Sequence, residues 1–403
     1  MSSPPPASPS PAPPPLGIYV HFPWCLKKCP YCDFLSVARP RDEIPSEAYA
    51  DAVIAEFDRR RPSLGDYSPN SIFFGGGTPS LWAPTALGRV LRHITDTLGT
   101  TPNELEITVE CNPNSLNGEH ASALADQGVG RLSIGLQNLD AKQLKFLGRL
   151  HSPNEGLQAL EAAVASPVPR VSADLIFGIS GQEASTAADM AGVVADLGPT
   201  HVSAYALTIE PGTEFGARER KGTLPILPDE AIADTYSAVE ECLEARGFEH
   251  YEISNYATDG HHSEHNVGYW TGREYLGLGC GAWGTLAGTR YRNTTVPTRY
   301  TESSTRWAST NLDEHGPGRL INEIEPLSPK TRLSERILLN LRLASGFDIE
   351  EAARQLGTEA WPDDRQRAAA RLVARGRLAR DGSRIYIPKA QWLFADDTIA
   401  RLM

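Results

Sequence analysis

The chain reads as an α/β protein, with a partial (βα)6 barrel of TIM type followed by a smaller, mainly helical C-terminal domain. Two observations predict this. Short apolar runs alternate with stretches of helical spacing from Gly17 to Leu207, the pattern of parallel βαβ units. Polar and glycine-rich motifs fall at or just after the ends of those runs, where a parallel barrel carries its chemistry.

The elements follow in order. Met1–Pro15 is Ser, Pro and Ala with eight prolines. Such a composition buries no core, so a disordered or polyproline tail is expected over 1–15. Six strands are expected at Ile18–Phe22, Ser71–Phe74, Leu105–Val109, Leu132–Leu136, Val171–Phe177 and His201–Leu207. Tyr49, Val53, Ile54 and Phe57 share one face of a helix that starts after Pro45-Ser46, and Leu87, Val90, Leu91 and Ile94 share one face of the next. The barrel domain is placed at 16–225. Pro228–Phe248 reads as a helix within a connecting region over 226–330, rich in glycine and aromatic residues from Tyr251 to Trp283. The last domain, 331–403, is small. Its segment Arg371–Pro388 reads as a helix and then a hairpin turning at Asp381-Gly382, the outline of a winged helix. From Arg332 onward there are 13 Lys and Arg against 10 Asp and Glu, a surplus too small to point to nucleic acid.

The net charge of −12 makes nucleic acid and anionic membranes poor default partners. No apolar run is long enough to span a bilayer, so stable membrane insertion is not expected. The N-terminus carries neither a charged n-region nor an apolar h-region of a secretory signal, and a cytoplasmic location is expected.

Three of the six cysteines, Cys25, Cys29 and Cys32, form a C-x3-C-x2-C spacing. Clustered thiols in a reducing compartment favour metal over disulfide. Three thiolates can hold three irons of a [4Fe–4S] cluster and leave the fourth iron open, whereas electron-transfer clusters use four. An open iron binds something, and the loop points towards S-adenosylmethionine (SAM). The alternative is a closed zinc site with a fourth ligand such as His21, but a second ligand pair at zinc-like spacing is missing from the sequence. Cys111, Cys242 and Cys280 stand alone and read as buried, inert thiols. Gly75-Gly76-Gly77-Thr78-Pro79 follows the second strand, where glycines let the backbone turn sharply and approach a ligand. Glu110 ends the third strand, Gln137 the fourth, and Asp174 lies in the fifth; together they make a polar ring around one barrel mouth.

The cluster loop, Gly75–Pro79, Glu110-Cys111-Asn112-Pro113, Ser133–Gln137, Leu147–His151 and Asp174–Gln182 together resemble the radical SAM family. The likeness is to the branch of oxygen-independent coproporphyrinogen III oxidase and its relative, the heme chaperone HemW. It runs from about Gly17 to the C-terminus. The resemblance implies that Cys25, Cys29 and Cys32 bind the [4Fe–4S] cluster and that SAM sits on the open iron. It implies that Tyr19, Tyr31, Gly76, Gly77, Thr78, Glu110, Gln137, Arg149, Asp174 and Thr208 line the SAM site. The oxidase carries a further cysteine two residues after the third ligand and a structured N-terminal extension; here Phe34 stands at that position and a Pro-rich tail comes first. Leu207–Thr213, Tyr251–Ala257 and the His265-Asn266-x-x-Tyr269-Trp270 motif match the chaperone side. That motif is linked in the family to heme, which makes His265 a candidate axial ligand and Tyr269 and Trp270 candidates to cover a porphyrin face. Glu264 and Trp283 depart from the family pattern. Two activities follow from the resemblance. One is a heme chaperone, with heme as cargo, heme proteins as acceptors and a homodimer compatible with it; no catalytic residue is assigned. The other is an enzyme of porphyrin biosynthesis that decarboxylates coproporphyrinogen III propionates through a 5′-deoxyadenosyl radical.

Overall fold

The computed structural model describes residues 13–302 and 320–403; most of the expected N-terminal tail lies outside them. Six parallel strands form as the alternation predicts: β1 (Pro15–Phe22), β2 (Ser68–Gly76), β3 (Glu106–Cys111), β4 (Arg131–Gln137), β5 (Arg170–Phe177) and β6 (His201–Ala206). Pro15, expected in the tail, is the first residue of β1. Each strand turns alternate residues to opposite faces. In β1, Ile18, Val20 and Phe22 are fully buried in the main hydrophobic core, while Tyr19 and His21 line the lumen of the barrel.

Helices return between the strands: α1 (Ser46–Arg60), α2 (Pro84–Leu98), α3 (Gly118–Ala125), α4 (Ala141–Phe146) with α5 (Pro153–Val164), and α6 (Ala184–Asp196). The stripe Leu87, Val90, Leu91 and Ile94 on α2 is wholly buried. Each such side chain contributes roughly 1.5–3 kcal/mol of burial. Pro84 starts that helix and Gly99, in the left-handed region at φ 65°, ends it. Then come α7 (Glu214–Arg220) and α8 (Asp229–Glu244), the latter inside the helix expected at Pro228–Phe248.

The connecting region does not stand apart from the barrel. Its strands β7 (Glu249–Glu252), β8 (Asn255–Ala257), β9 (Tyr275–Leu278), β10 (Trp283–Leu286), β11 (Thr289–Asn293) and β12 (Ile321–Pro326) extend the same sheet. The order is β12-β11-β10-β9-β1-β2-β3-β4-β5-β6-β8-β7. Strand β9 pairs parallel with β1 and adds a seventh parallel strand, which the sequence reading leaves inside a glycine-rich stretch. Only Leu276 and Leu278 carry its alternation, and glycines occupy the positions between and after them. Between β8 and β9, helix α9 (Glu264–Trp270) covers one end of the lumen. Its first two N–H groups, from Glu264 and His265, donate to the Glu106 carboxylate on β3 at 3.0 and 2.9 Å, an anion at the positive end of a helix.

The C-terminal region packs α10 (Pro329–Asn340), α11 (Ile349–Leu356) and α12 (Asp363–Ala374) on a small antiparallel sheet. Its strands are β13 (Phe347–Asp348), β14 (Ala379–Asp381) and β15 (Arg384–Tyr386), in the order β13-β15-β14. The hairpin turns through Gly382 at φ 59°. Leu333, Ile337, Ile349, Leu372, Ile385 and Trp392 form a hydrophobic core separate from that of the barrel.

Candidate functional site

One cavity of about 410 Å³ opens at the C-terminal ends of the strands. Cys25, Cys29 and Cys32 line it, and nine of the ten predicted SAM residues join them: Tyr31, Gly76, Gly77, Thr78, Glu110, Gln137, Arg149, Asp174 and Thr208. Tyr19 does not. It faces an adjoining chamber of about 530 Å³ deeper in the lumen, whose wall shares Gly76, Glu110, Ser133, Asp174 and Tyr205 with the first.

The loop after β1 holds three half-buried free thiols. The Cys32 N–H donates to the Cys29 carbonyl at 3.2 Å, which tightens the second half of the loop. The Thr78 hydroxyl donates to Cys25 Sγ at 3.4 Å, and Arg149 Nη1 approaches Cys29 Sγ at 3.7 Å. Arg149 is anchored by its other nitrogen, which donates to the Gly135 carbonyl at 2.8 Å. Burial pushes the Cys25 thiol up, and the Cys32 thiol up to about 11. A coordinating metal would deprotonate such thiols outright. No three His, Cys, Asp or Glu side chains among the described residues converge on the position of a single metal ion. A four-iron cluster asks for something else: three thiolates on one face of a cavity, each holding a different iron. The loop fits that demand.

The glycine motif is shaped by contact. Gly76 sits at φ 107°, and a Cβ there would lie 2.4 Å from the His21 ring. A Cβ on Gly77 would lie 2.6 Å from the Trp24 carbonyl oxygen and 2.8 Å from that of Phe22. The Gly77 and Thr78 N–H groups donate to the carbonyls of Phe22 and Trp24. The motif is thereby stitched to the strand that leads into the cluster loop.

Two carboxylates, Glu110 and Asp174, line both chambers. Glu110 accepts from the Gly76 N–H at 3.0 Å. Asp174 accepts from Ser133 Oγ at 3.1 and 3.2 Å, and sits in the middle of β5 rather than at its end. Burial, then the charge of Asp174, pushes Glu110 up to about 8. Burial raises Asp174 too, against hydroxyl bonds and the charge of Arg131. Gln137 ends β4 at φ 68°, an uncommon value for a residue with a side chain, next to a register shift. A Cβ on Gly135 would lie 2.7 Å from its amide, so Gly135 makes room for that side chain.

Several lining residues escape the sequence reading. Ser133 and Tyr205 belong to both chambers, and Arg131 to the deeper one. Arg131 is 2 % exposed, and its charge bears on both Glu110 and Asp174. The signal lay in β4, where Arg131, Ser133, Gly135 and Gln137 alternate with Leu132, Ile134 and Leu136.

His265 lies at the covered end of the lumen, 3 % exposed. Its Nδ1 is 2.9 Å from Ser71 Oγ and its Nε2 is 3.0 Å from the Tyr269 hydroxyl. Its ring stacks on Phe73, and burial holds it neutral, down to about 3. Tyr269 lies between His265 and two spaces. One is the deeper chamber; the other is a groove of about 550 Å³ lined by Trp270, Tyr275, Leu338, Leu339 and several arginines. Cys111 and Cys280 are buried, and Cys242 half-buried.

The family model of the Radical SAM superfamily matches residues 19–193, and that of the HemN C-terminal domain matches 327–394. The heme chaperone HemW of Escherichia coli is 37 % identical over 67 % of this chain and 70 % of its own length. HemW of Mycobacterium tuberculosis is 32 % identical over 96 % of this chain and 95 % of its own. A mitochondrial radical S-adenosyl methionine domain-containing protein 1 from Bos taurus is 35 % identical over 85 % and 76 %. Among solved structures, coproporphyrinogen III oxidase (HemN) from Escherichia coli superposes with a TM-score of 0.79 over 97 % of this chain and 90 % of that one. At 18 % identity it shares the fold. The chain belongs to the HemW family of radical SAM proteins.

Proposed function

We propose that this protein binds heme and passes it to acceptor heme proteins in the cytoplasm, on a scaffold that holds a [4Fe–4S] cluster and SAM. The observation that carries the reading is the pairing of HemW relatives along the whole chain with an aromatic, arginine-bearing groove at the end of its His265–Trp270 motif. Aromatic faces suit a porphyrin, and arginines suit its carboxylates. Phe34, 58 % exposed, occupies the position where the oxidase branch carries a cysteine. In this reading Cys25, Cys29 and Cys32 hold the cluster. Glu110 and Asp174 take hydroxyl or ammonium groups of SAM, and Gly76 and Gly77 leave room for its close approach. The bound pair would supply one-electron chemistry; the protein's own part is to hold SAM and keep water out. His265 is the proposed axial ligand, and ligation requires the Tyr269 hydroxyl to release its Nε2.

The second reading, porphyrinogen decarboxylation, draws on the deeper chamber beside the SAM cavity, with the buried Arg131 in its wall. One experiment separates the two. Heme is titrated into the anaerobically reconstituted protein, with coproporphyrinogen turnover assayed in the same tube. The expected result is one heme bound and no turnover, with the axial-ligand spectrum lost in His265→Ala and affinity reduced about tenfold or more in Trp270→Ala. Turnover without heme binding would overturn the proposal in favour of the oxidase.

A further inference from the structure

The groove at Trp270 is walled by four arginines and two carboxylates. Two of the arginines are matched. Arg332 lies 3.0 Å from Glu274, and Arg290 pairs with Glu335. The other two are not matched in this way. Arg273 stands 3.9 Å from Glu264, a side chain 56 % exposed, and Arg336 donates to the neutral amide of Gln355 at 3.0 Å. Burial lowers both guanidiniums from their ordinary value, and the charge of Arg332 lowers Arg336 further. An arginine stays charged all the same, so an arriving anion relieves a cost that the fold leaves in place.

The two arginines are also seated. A Cβ on Gly268 in α9 would lie 2.9 Å from the Arg273 guanidinium carbon, and one on Gly272, just past the helix, 3.0 Å from Arg336 Cγ. Both side chains therefore rest on backbone that carries no side chain of its own. Arg273 Nη1 and Trp270 Nε1 are buried with no hydrogen-bond partner among the described residues. Buried donors are nearly always satisfied in a folded protein, and a carboxylate is the kind of acceptor both lack. The iron of a porphyrin finds no such provision. His265 is 3 % exposed, is absent from the groove's wall, and has its Nε2 held 3.0 Å from the Tyr269 hydroxyl. First docking cannot depend on a nitrogen that must still be freed. We propose that Arg273 and Arg336 receive the two carboxylates of a porphyrin and anchor it whether or not it carries iron, with ligation by His265 as a later step. The inference rests on the heme reading above. It makes metal-free dicarboxylate porphyrins ligands of the same groove.

The test titrates heme, metal-free protoporphyrin IX and the dimethyl esters of both into the full chain, with Arg273→Gln/Arg336→Gln beside the wild type. Each charge-assisted pair is worth about tenfold or more in affinity. Esterification should therefore weaken binding to the wild type by roughly a hundredfold, and the double variant should lose as much for the diacids and little for the diesters. Heme and the metal-free diacid should bind the wild type with similar affinity. His265→Ala should keep the affinity for the metal-free diacid and lose only the axial-ligand spectrum of heme. The ester comparison on the wild type holds even where the double variant folds poorly. Diesters that bind as tightly as diacids would overturn the inference and leave the heme reading standing. So would exclusion of the metal-free diacid by a chain that binds heme, which would make iron the anchor. Equal loss of diacids and diesters in a folded double variant would also overturn it, placing the lesion in the shape of the groove. A wild type that binds none of the four would take the heme reading down with the inference.

Discussion

Glu110 is the residue whose protonation is most exposed to experiment. Its ordinary value is 4.5, and burial beside Asp174 takes it to about 8 in the folded chain. Between those values the folded protein keeps a proton that the unfolded chain has lost. Stability of the protein without cofactors should therefore fall as pH rises from about 4.5 to about 8, and then level off. Glu110→Gln should flatten that slope in denaturant titrations run at several pH values; an unchanged slope would refute the assignment. The same proton reports on the ligand. Ribose hydroxyls donate to a carboxylate and favour its ionised form, so SAM should expel up to one proton on binding near pH 7. Calorimetry in buffers of different ionisation enthalpy reads this directly. The apparent binding enthalpy should vary with the buffer in wild type and not in Glu110→Gln, and buffer-independence in both would remove Glu110 from the SAM site.

At the scale of elements, the cavity is made by strand ends, and the sequence carries those ends well. An apolar run followed by Gly75–Pro79, Glu110 or Gln137 marks a strand that stops at a polar mouth, because a buried strand cannot place such groups elsewhere without a partner. That logic located the residues that now share one cavity with the three cysteines. It fails where the alternation is carried by small residues. Strand β9 offers two leucines among glycines, and its parallel pairing with β1 is decided by a partner more than 250 residues away in the chain. Local pattern likewise cannot report that His265 has both ring nitrogens engaged, or that Tyr19 faces the deeper chamber. A glycine inside the motif and one outside it should respond differently to a methyl group. Gly77 would press a methyl group onto two backbone carbonyls, which cannot move without shifting β1. Gly77→Ala should cost roughly 1–3 kcal/mol by overpacking and abolish SAM binding. In Gly212→Ala, by contrast, the new methyl meets nothing within 4 Å, and SAM affinity should stay at the wild-type level. Equilibrium unfolding and SAM titration on the two variants check this, and a Gly77→Ala protein that binds SAM normally would contradict the close-approach argument.

At the scale of the whole molecule, one buried carboxylate ties the connecting region to the first helix of the barrel. Glu56 on α1 is fully buried and accepts from Arg60 Nε at 2.7 Å, Asn293 Nδ2 at 2.8 Å, the Gly279 N–H at 2.9 Å and the Tyr300 hydroxyl at 2.6 Å. Arg60 in turn donates to Asn293 Oδ1 and lies 4.1 Å over the Tyr291 ring. Taking a carboxylate and a guanidinium out of water costs several kcal/mol each, and only full hydrogen bonding offsets it. Here four donors meet two oxygens, so the network holds strands β9 and β11 to the first helix of the barrel. Strand β9 completes the parallel wall beside β1 and carries Tyr275, and β11 pairs antiparallel with β10, which carries Trp283; both residues line the groove proposed for heme. Glu56→Ala strands the Arg60 charge in the core and should destabilise the fold by roughly 3–5 kcal/mol. Glu56→Gln keeps the shape but swaps acceptor for donor on one side, and should cost less. The pair distinguishes a local brace from a global one. If the connecting region folds as part of the barrel, both variants should lower the midpoint of a single cooperative unfolding transition followed by fluorescence and by circular dichroism alike. Two separated transitions in Glu56→Ala, with the barrel midpoint unmoved, would show that β9–β12 can detach on their own and that the groove is built on a separately folding part.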